Sequence, residues 1–271
     1  MSYQPVVPLT GYSGWRFLQR TLPVQKAAHA ASPAGQRAEA HFRDQIGNVQ
    51  SAKDLVADRR LLEVALGAFG LGDDVANKAF IIKALESDTS DGRSFVNRLT
   101  DKRYRQMAQA FGFGDGYVPR IQAPDFAEGI IAQYRERRFE EAVGETDESM
   151  RLALALDRDL TRLAGQASTE DAKWFTVLGT PSLRAVFETA FQLPVSFGTL
   201  DIDRQVAVLR ERTDRLTGDA GIGQFVDLTR REALTRRFLL SEQVGQISGL
   251  SGGSVALSLL QQGRLVFKAG G

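Results

Sequence analysis

Asp58-Arg59-Arg60-Leu61-Leu62-Glu63-Val64-Ala65-Leu66-Gly67-Ala68-Phe69-Gly70-Leu71-Gly72-Asp73 is the stretch whose reading decides the fold. Leu61, Val64, Ala65, Ala68 and Phe69 recur at three- and four-residue spacing, so they share one face of a helix. Asp58 stands where an N-terminal cap belongs. Gly70 and Gly72 stand where a helix stops in the left-handed conformation. The phrase returns over Asp101–Asp115 and, more loosely, over Leu183–Leu193. In the third copy Leu183, Val186, Ala190, Phe191 and Leu193 keep the order of Leu61, Val64, Ala68, Phe69 and Leu71. It is a packing device and holds no reaction chemistry.

The same signals recur outward from this phrase. Ser32-Pro33 opens a helix to about Ile46. Ser51 caps the next, with Asp54 three residues on in a capping-box arrangement. Asp73 or Asp74 caps a helix with Val75, Ala79, Ile82 and Leu85 on one side. Asp91 caps another through Phe95 and Leu99, and Pro124 opens one of roughly twenty residues. Asp147 to Ala167 carries a leucine stripe, Thr180-Pro181 starts the third copy, and Asp201 caps a helix lined by Ile202, Val206, Leu209, Thr213 and Leu216. Gln224 to Gln246 and Ser254 to Gln262 read as the last helices. Before all of these, Met1 to Gly14 reads as an extended arm, and a short helix runs from near Ser13 to just before Pro23. No alternating run is long enough for a strand. The fold class is therefore all-α, an irregular assembly of about ten helices with no significant sheet. Uneven repeat spacing argues against a solenoid. The chain divides into an N-terminal arm with short helices (1–31), a helical domain (32–217), and C-terminal helices with a glycine-rich tail (218–271). Leu61, Val64, Phe69, Phe80, Phe95, Phe111, Val186 and Phe191 are the expected core.

The bulk properties narrow the function classes. A net charge of +1 creates no global attraction to nucleic acid or to an anionic membrane. The absence of cysteine excludes disulfides, thiolate catalysis and cysteine metal sites. No apolar run approaches the ~20 residues of a membrane span. Met1 to Pro8 lacks the pattern of a secretory signal, so a protein soluble when made is expected.

Chemistry-bearing patterns fail on context. Gly249-Leu250-Ser251-Gly252-Gly253 matches a serine-hydrolase elbow, yet both histidines, His29 and His41, precede it and no strand leads into it. Gly112 to Gly116 follows a helix, where a phosphate loop would follow a strand. Asp88 to Gly92 would place Arg98 at the position where a calcium loop needs a bidentate Glu. His29 and His41 have no evident third partner for zinc. Arg135, Arg137 and Arg138 beside Glu140 and Glu141, and Arg230 to Arg237 around Glu232, read as solvated helix faces of mixed sign. No catalytic, cofactor or metal residue is assigned. Trp15, Phe17 and Leu18 are the candidate partner contacts, being large apolar residues beside a proline-bearing arm. Docking onto the chain's own core is their plainer reading.

Phe42-Arg43-Asp44-Gln45-Ile46-Gly47, Leu55 to Leu61, Ala79 to Glu86, Ser94 to Leu99 and Asp101-Lys102-Arg103-Tyr104 together resemble an alphaproteobacterial domain-of-unknown-function family, number twelve-seventeen in that series. Leu193-Pro194-Val195-Ser196-Phe197-Gly198-Thr199-Leu200-Asp201-Ile202-Asp203-Arg204-Gln205 is similar to its second hallmark. The resemblance runs from about Phe42 to Leu216, with Asp91-Gly92 where the family often has Asp-Pro. It implies a helical, flagellum-associated protein without known catalytic residues. Amphipathic helices near both ends are in keeping with it, since flagellar axial subunits pack through helical ends. The expectation is a non-enzymatic structural or assembly protein of the bacterial flagellum, made in the cytoplasm without a cleaved signal. Its partners are flagellar or other proteins, or further copies of itself, with no cofactor, nucleic acid or membrane insertion. A cytoplasmic adaptor or export chaperone for a flagellar component is the alternative.

Overall fold

The structure is a computed structural model and describes residues 3–116 and 120–245. Thirteen α-helices and no strand occur among the described residues. They are α1 Gly11–Ala30, α2 Pro33–Gln45, α3 Ala52–Ala57, α4 Arg59–Ala68, α5 Lys78–Leu85, α6 Phe95–Arg98 and α7 Lys102–Phe111. α8 Phe126–Gly144, α9 Glu148–Ala164, α10 Glu170–Leu178, α11 Pro181–Ala190 and α12 Ile202–Thr217 follow, and α13 spans 228–245. The helix expected over Ser254–Gln262, the Gly249–Gly253 joint and the end of the Gly112–Pro119 loop lie outside the described residues.

The three copies of the phrase are α4, α7 and α11. Asp58 caps α4 by accepting from the amides of Arg60 and Leu61 at 2.8 and 3.2 Å, and Asp101 caps α7 from Arg103 at 2.9 Å. Ser51 caps α3 as expected, and the Asp54 carboxylate reaches back to Ser51 Oγ at 2.9 Å and to the amide one residue before the cap. The Asp54 amide donates to Ser51 Oγ at 3.2 Å, and the Gln50 amide donates to Asp54 Oδ2 at 3.2 Å. α4 ends with Gly70 at φ +69° and α7 with Gly112 at φ +72°. Gly72 has an ordinary φ, so the first stop uses one glycine where two were expected.

The buried apolar residues form two large clusters. The first gathers α2, α3, α4, α5 and α7 around Phe42, Leu62, Leu66 and Phe111. The second gathers α9 to α13 around Trp174, Phe187, Phe225 and Phe238. α8 serves both: Ile130 and Ile131 belong to the first cluster, Phe139 and Val143 to the second. α1 also joins the second cluster, and it touches α13 through an Arg16–Glu232 pair at 2.6 Å. Six of the eight expected core residues are buried; Phe80 and Phe95 are half-buried and meet edge to face at 5.3 Å.

Several local expectations need correction. α1 runs through Pro23, although an interior proline costs about 3 kcal/mol. Packing outweighs that cost, because Trp15 and Leu18 before it and Gln25 and His29 after it are all buried. Gln25 further clamps the N-terminal arm, exchanging hydrogen bonds with the Val6 backbone at 2.7 and 3.1 Å. α5 buries Ile81, Ala84 and Leu85 in place of the stripe through Ala79 and Ile82. Val75 belongs to a separate 3₁₀ turn, Gly72–Ala76, so the helical phase restarts at Lys78. Asp73 and Asp74 consequently do not cap α5; Asp74 accepts from the Tyr104 hydroxyl at 2.5 Å. Asp91 makes a local turn with the Arg93 amide, and Thr180 donates back to the Thr176 carbonyl at 2.7 Å instead of capping α11. α10 was not anticipated. Thr169 caps it from the Ala172 amide at 3.3 Å, and Trp174, Val177 and Leu178 form its inner face.

Candidate functional site

Trp15 and Leu18, two of the three candidate partner contacts, are buried in the second cluster, with Trp15 only 2% exposed. Phe17 is half-buried on the same helix. Burial against α8 and α9 takes Trp15 and Leu18 out of reach of a partner, so the expectation is corrected in favour of the chain's own core. His29 and His41 each have a neighbour of their own. His29 sets its ring edge to face with Phe139 at 5.8 Å, and His41 Nε2 lies 2.8 Å from Asp58 Oδ2.

Two other features stand out. The first is a polar cleft of about 510 Å³ where α4, α7, α8 and α9 meet. α8 and α9 form a hairpin joined by residues 145–147, and Asp147 caps α9 from the Met150 amide at 3.1 Å. The hairpin brings Arg137 and Glu140 of α8 against Arg158, Asp159 and Arg162 of α9. The side chains of Glu140 and Asp159 are 4% and 2% exposed. Arg158 donates to Asp159 through Nε and Nη2 at 3.2 and 2.8 Å, and to Glu140 through Nη1. Burial pushes the Asp159 carboxyl up, but Arg158 and Arg137 outweigh it and hold Asp159 below the usual range. Burial prevails at Glu140, whose carboxyl is raised despite the same arginines. Burial, and then the Arg158 charge beside it, lowers Arg137. The floor of the cleft is the end of the opening phrase. Ala68 and Phe69 line it, and the Arg137 guanidinium lies over Gly70.

Mixed-sign runs on α8 and α13 were expected to be solvated faces; Arg135, Arg236 and Arg237 are exposed, but other members of the runs are not. Arg137 and Glu140 are enclosed between the two clusters, and Arg231 is buried, donating to Asp157 at 2.9 Å and to the Phe225 carbonyl at 2.6 Å. The sequence did carry a signal. Asp159 interrupts the apolar stripe of α9, four residues before Leu163 and three after Leu156, where a solvated acid has no place.

The second feature is an exposed apolar groove between the end of α11, the following turn and α13. Two adjoining hollows of about 430 and 550 Å³ share Gln192, Ser241 and Val244. Val195 is 98% exposed, Val244 54% and Leu240 45%. Arg184, Arg236 and Arg237 stand at its margins.

These features define an all-α protein with two apolar clusters joined by a charged helical hairpin. The chain belongs to the family described as "Protein of unknown function (DUF1217)", whose model matches residues 68–230. The matched span starts after most of the opening phrase and reaches past Leu216; it contains both the cleft arginines and the α11 turn. The chain is also similar to the X-ray crystal structure of protein AGR_C_984 from Agrobacterium tumefaciens. The two share 26% identity with a TM-score of 0.72, over 89% of this chain and 98% of that one. No curated protein matches the chain.

Proposed function

We propose that this is a structural or assembly protein of the bacterial flagellum that acts through protein–protein contacts. The observation that carries the contact reading is the groove between α11 and α13. Large apolar side chains rarely stay open in a contiguous patch unless a partner covers them. Exposed Val195, Leu240 and Val244 beside Arg184, Arg236 and Arg237 give the mixture of apolar and arginine side chains found at protein interfaces. The pairing of α1 with α13, the first and last described helices, supports the axial-subunit comparison. The flagellar setting itself rests on the family resemblance.

Val195→Asp combined with Val244→Glu puts charge into the groove at positions with little to lose in the folded chain. Stability should change by no more than about 0.5 kcal/mol. Cells carrying the double variant should swim poorly, and the protein should be lost from purified basal bodies. Normal swimming after deletion, with no protein in the basal-body fraction, overturns the proposal. Retention in the cytoplasm together with an export substrate replaces it with the adaptor reading.

A further inference from the structure

The cleft between α8 and α9 holds more positive charge than its own acids use. Arg137, Arg158 and Arg162 surround two carboxylates, Glu140 and Asp159. Arg158 alone engages both of these acids at hydrogen-bond range. Arg137 stays 3.8 Å from Glu140 and 3.9 Å from Asp159, and it hydrogen-bonds to no described residue. Its side chain is only 15% exposed. A guanidinium carries several fixed N–H donors, and enclosing them without acceptors is costly. Arg120, exposed on the same cleft, forms no ion pair among the described residues. Glu136, the remaining acid in the lining, is held by Lys26 at 2.6 Å. Around these charges stand the amides of Gln106, Gln109 and Gln133, none bonded through its side chain to a described residue.

A purely structural ion network would give its buried arginines hydrogen-bonded acceptors. Arg158 has them, whereas Arg137 is ion-paired to the same two acids at 3.8 and 3.9 Å but hydrogen-bonded to neither. We infer that the cleft binds an oxyanion, the phosphate or carboxylate group of a small molecule. Arg137 supplies the inner donors, and Arg120 and Arg162 close over the charge from the mouth. Arginine is suited to this because its planar fork matches two oxygens at once. The glutamine amides would read the neutral part of the ligand. The site shares no residue with the groove, so it stands or falls separately from the flagellar reading.

The test is calorimetric and thermal titration of the full chain with sodium phosphate and, separately, sodium acetate, each against sodium chloride at matched ionic strength. A saturable, one-site response to phosphate identifies a phosphorylated ligand; the same response to acetate identifies a carboxylate. Arg120→Ala and Arg162→Ala should each weaken binding roughly tenfold. Neither should change the anion-free melting temperature by more than a degree or two. Arg137→Met should abolish the response. The inference is overturned if neither anion acts beyond chloride, or if Arg137→Met binds as the wild type does. Should Arg137→Met fail to fold, undiminished binding by both mouth variants overturns it equally.

Discussion

His29 shows how one side chain can set a pH limit on the fold. It is buried on α1 against Phe139, a setting that disfavours the charged imidazole. Burial lowers its pKa from the ordinary 6.5, the Arg138 charge lowers it further, and Glu145 opposes both. The native state therefore takes up this proton less readily than the unfolded chain. Stability from His29 is whole above the unfolded pKa and drains away as pH falls from about 6.5 towards the folded value. Urea midpoints measured from pH 7.5 down to pH 5 should fall for the wild type, and less steeply for His29→Gln. Glu140, raised by burial, titrates in both proteins and cancels in the comparison. Equal slopes for the two would show that His29 carries none of the effect. In the sequence His29 stands out only as a histidine without a third partner for zinc. Its real neighbours come from α8, more than a hundred residues away, and no spacing rule reaches that far.

Helices in this chain begin and end on local chemistry, and most of it was legible. Asp58, Asp101 and Asp201 cap as expected and Asp147 caps α9 in the same way, since each bond spans two or three residues and needs no tertiary partner. Helix stops are equally local. After α4 the Leu71 amide returns to the Leu66 carbonyl at 2.9 Å, and after α11 the Leu193 amide returns to the Glu188 carbonyl at 2.9 Å. Between these turns Gly70 sits at φ +69° in the first copy, while Gln192 sits at φ +51° in the third. A side chain in that region costs about 1–2 kcal/mol, partly offset by the entropy a glycine would lose. Gln192→Gly should stabilise the protein by about 0.5–1 kcal/mol, and Gly70→Ala should destabilise it by about 1 kcal/mol. Chemical denaturation decides both. A destabilising Gln192→Gly would mean that its side chain makes a contact worth more than the strain. What escaped the sequence were effects of packing: the run of α1 through Pro23, the restarted phase of α5, and α10. The cleft escaped for the same reason, because the pairs that close it, Arg158–Glu140 and Arg137–Asp159, join residues on different helices.

Across the whole molecule, α8 is the element that couples the parts. One end of it fills the first cluster through Ile130 and Ile131, the other fills the second through Phe139 and Val143, and the charged layer of Arg137 and Glu140 lies between. A helix shared in this way resists partial unfolding, since releasing either cluster strips one end of α8 of its partners. Both tryptophans, Trp15 and Trp174, belong to the second cluster, so their fluorescence reports on that half alone, whereas far-ultraviolet circular dichroism reports on every helix. Ile131→Ala removes packing from the first cluster and should cost about 2–5 kcal/mol. If α8 transmits the loss, tryptophan fluorescence and circular dichroism will shift together to the same lower urea midpoint, and a single transition will describe both. A fluorescence midpoint that stays in place while circular dichroism splits into two steps would show two independently folding halves. Phe139→Ala provides the converse arm: a cost of about 3–5 kcal/mol in the second cluster should destabilise the first by the same shared helix. The coupling bears on the cleft as well, because its arginines are aligned only while both ends of α8 are held.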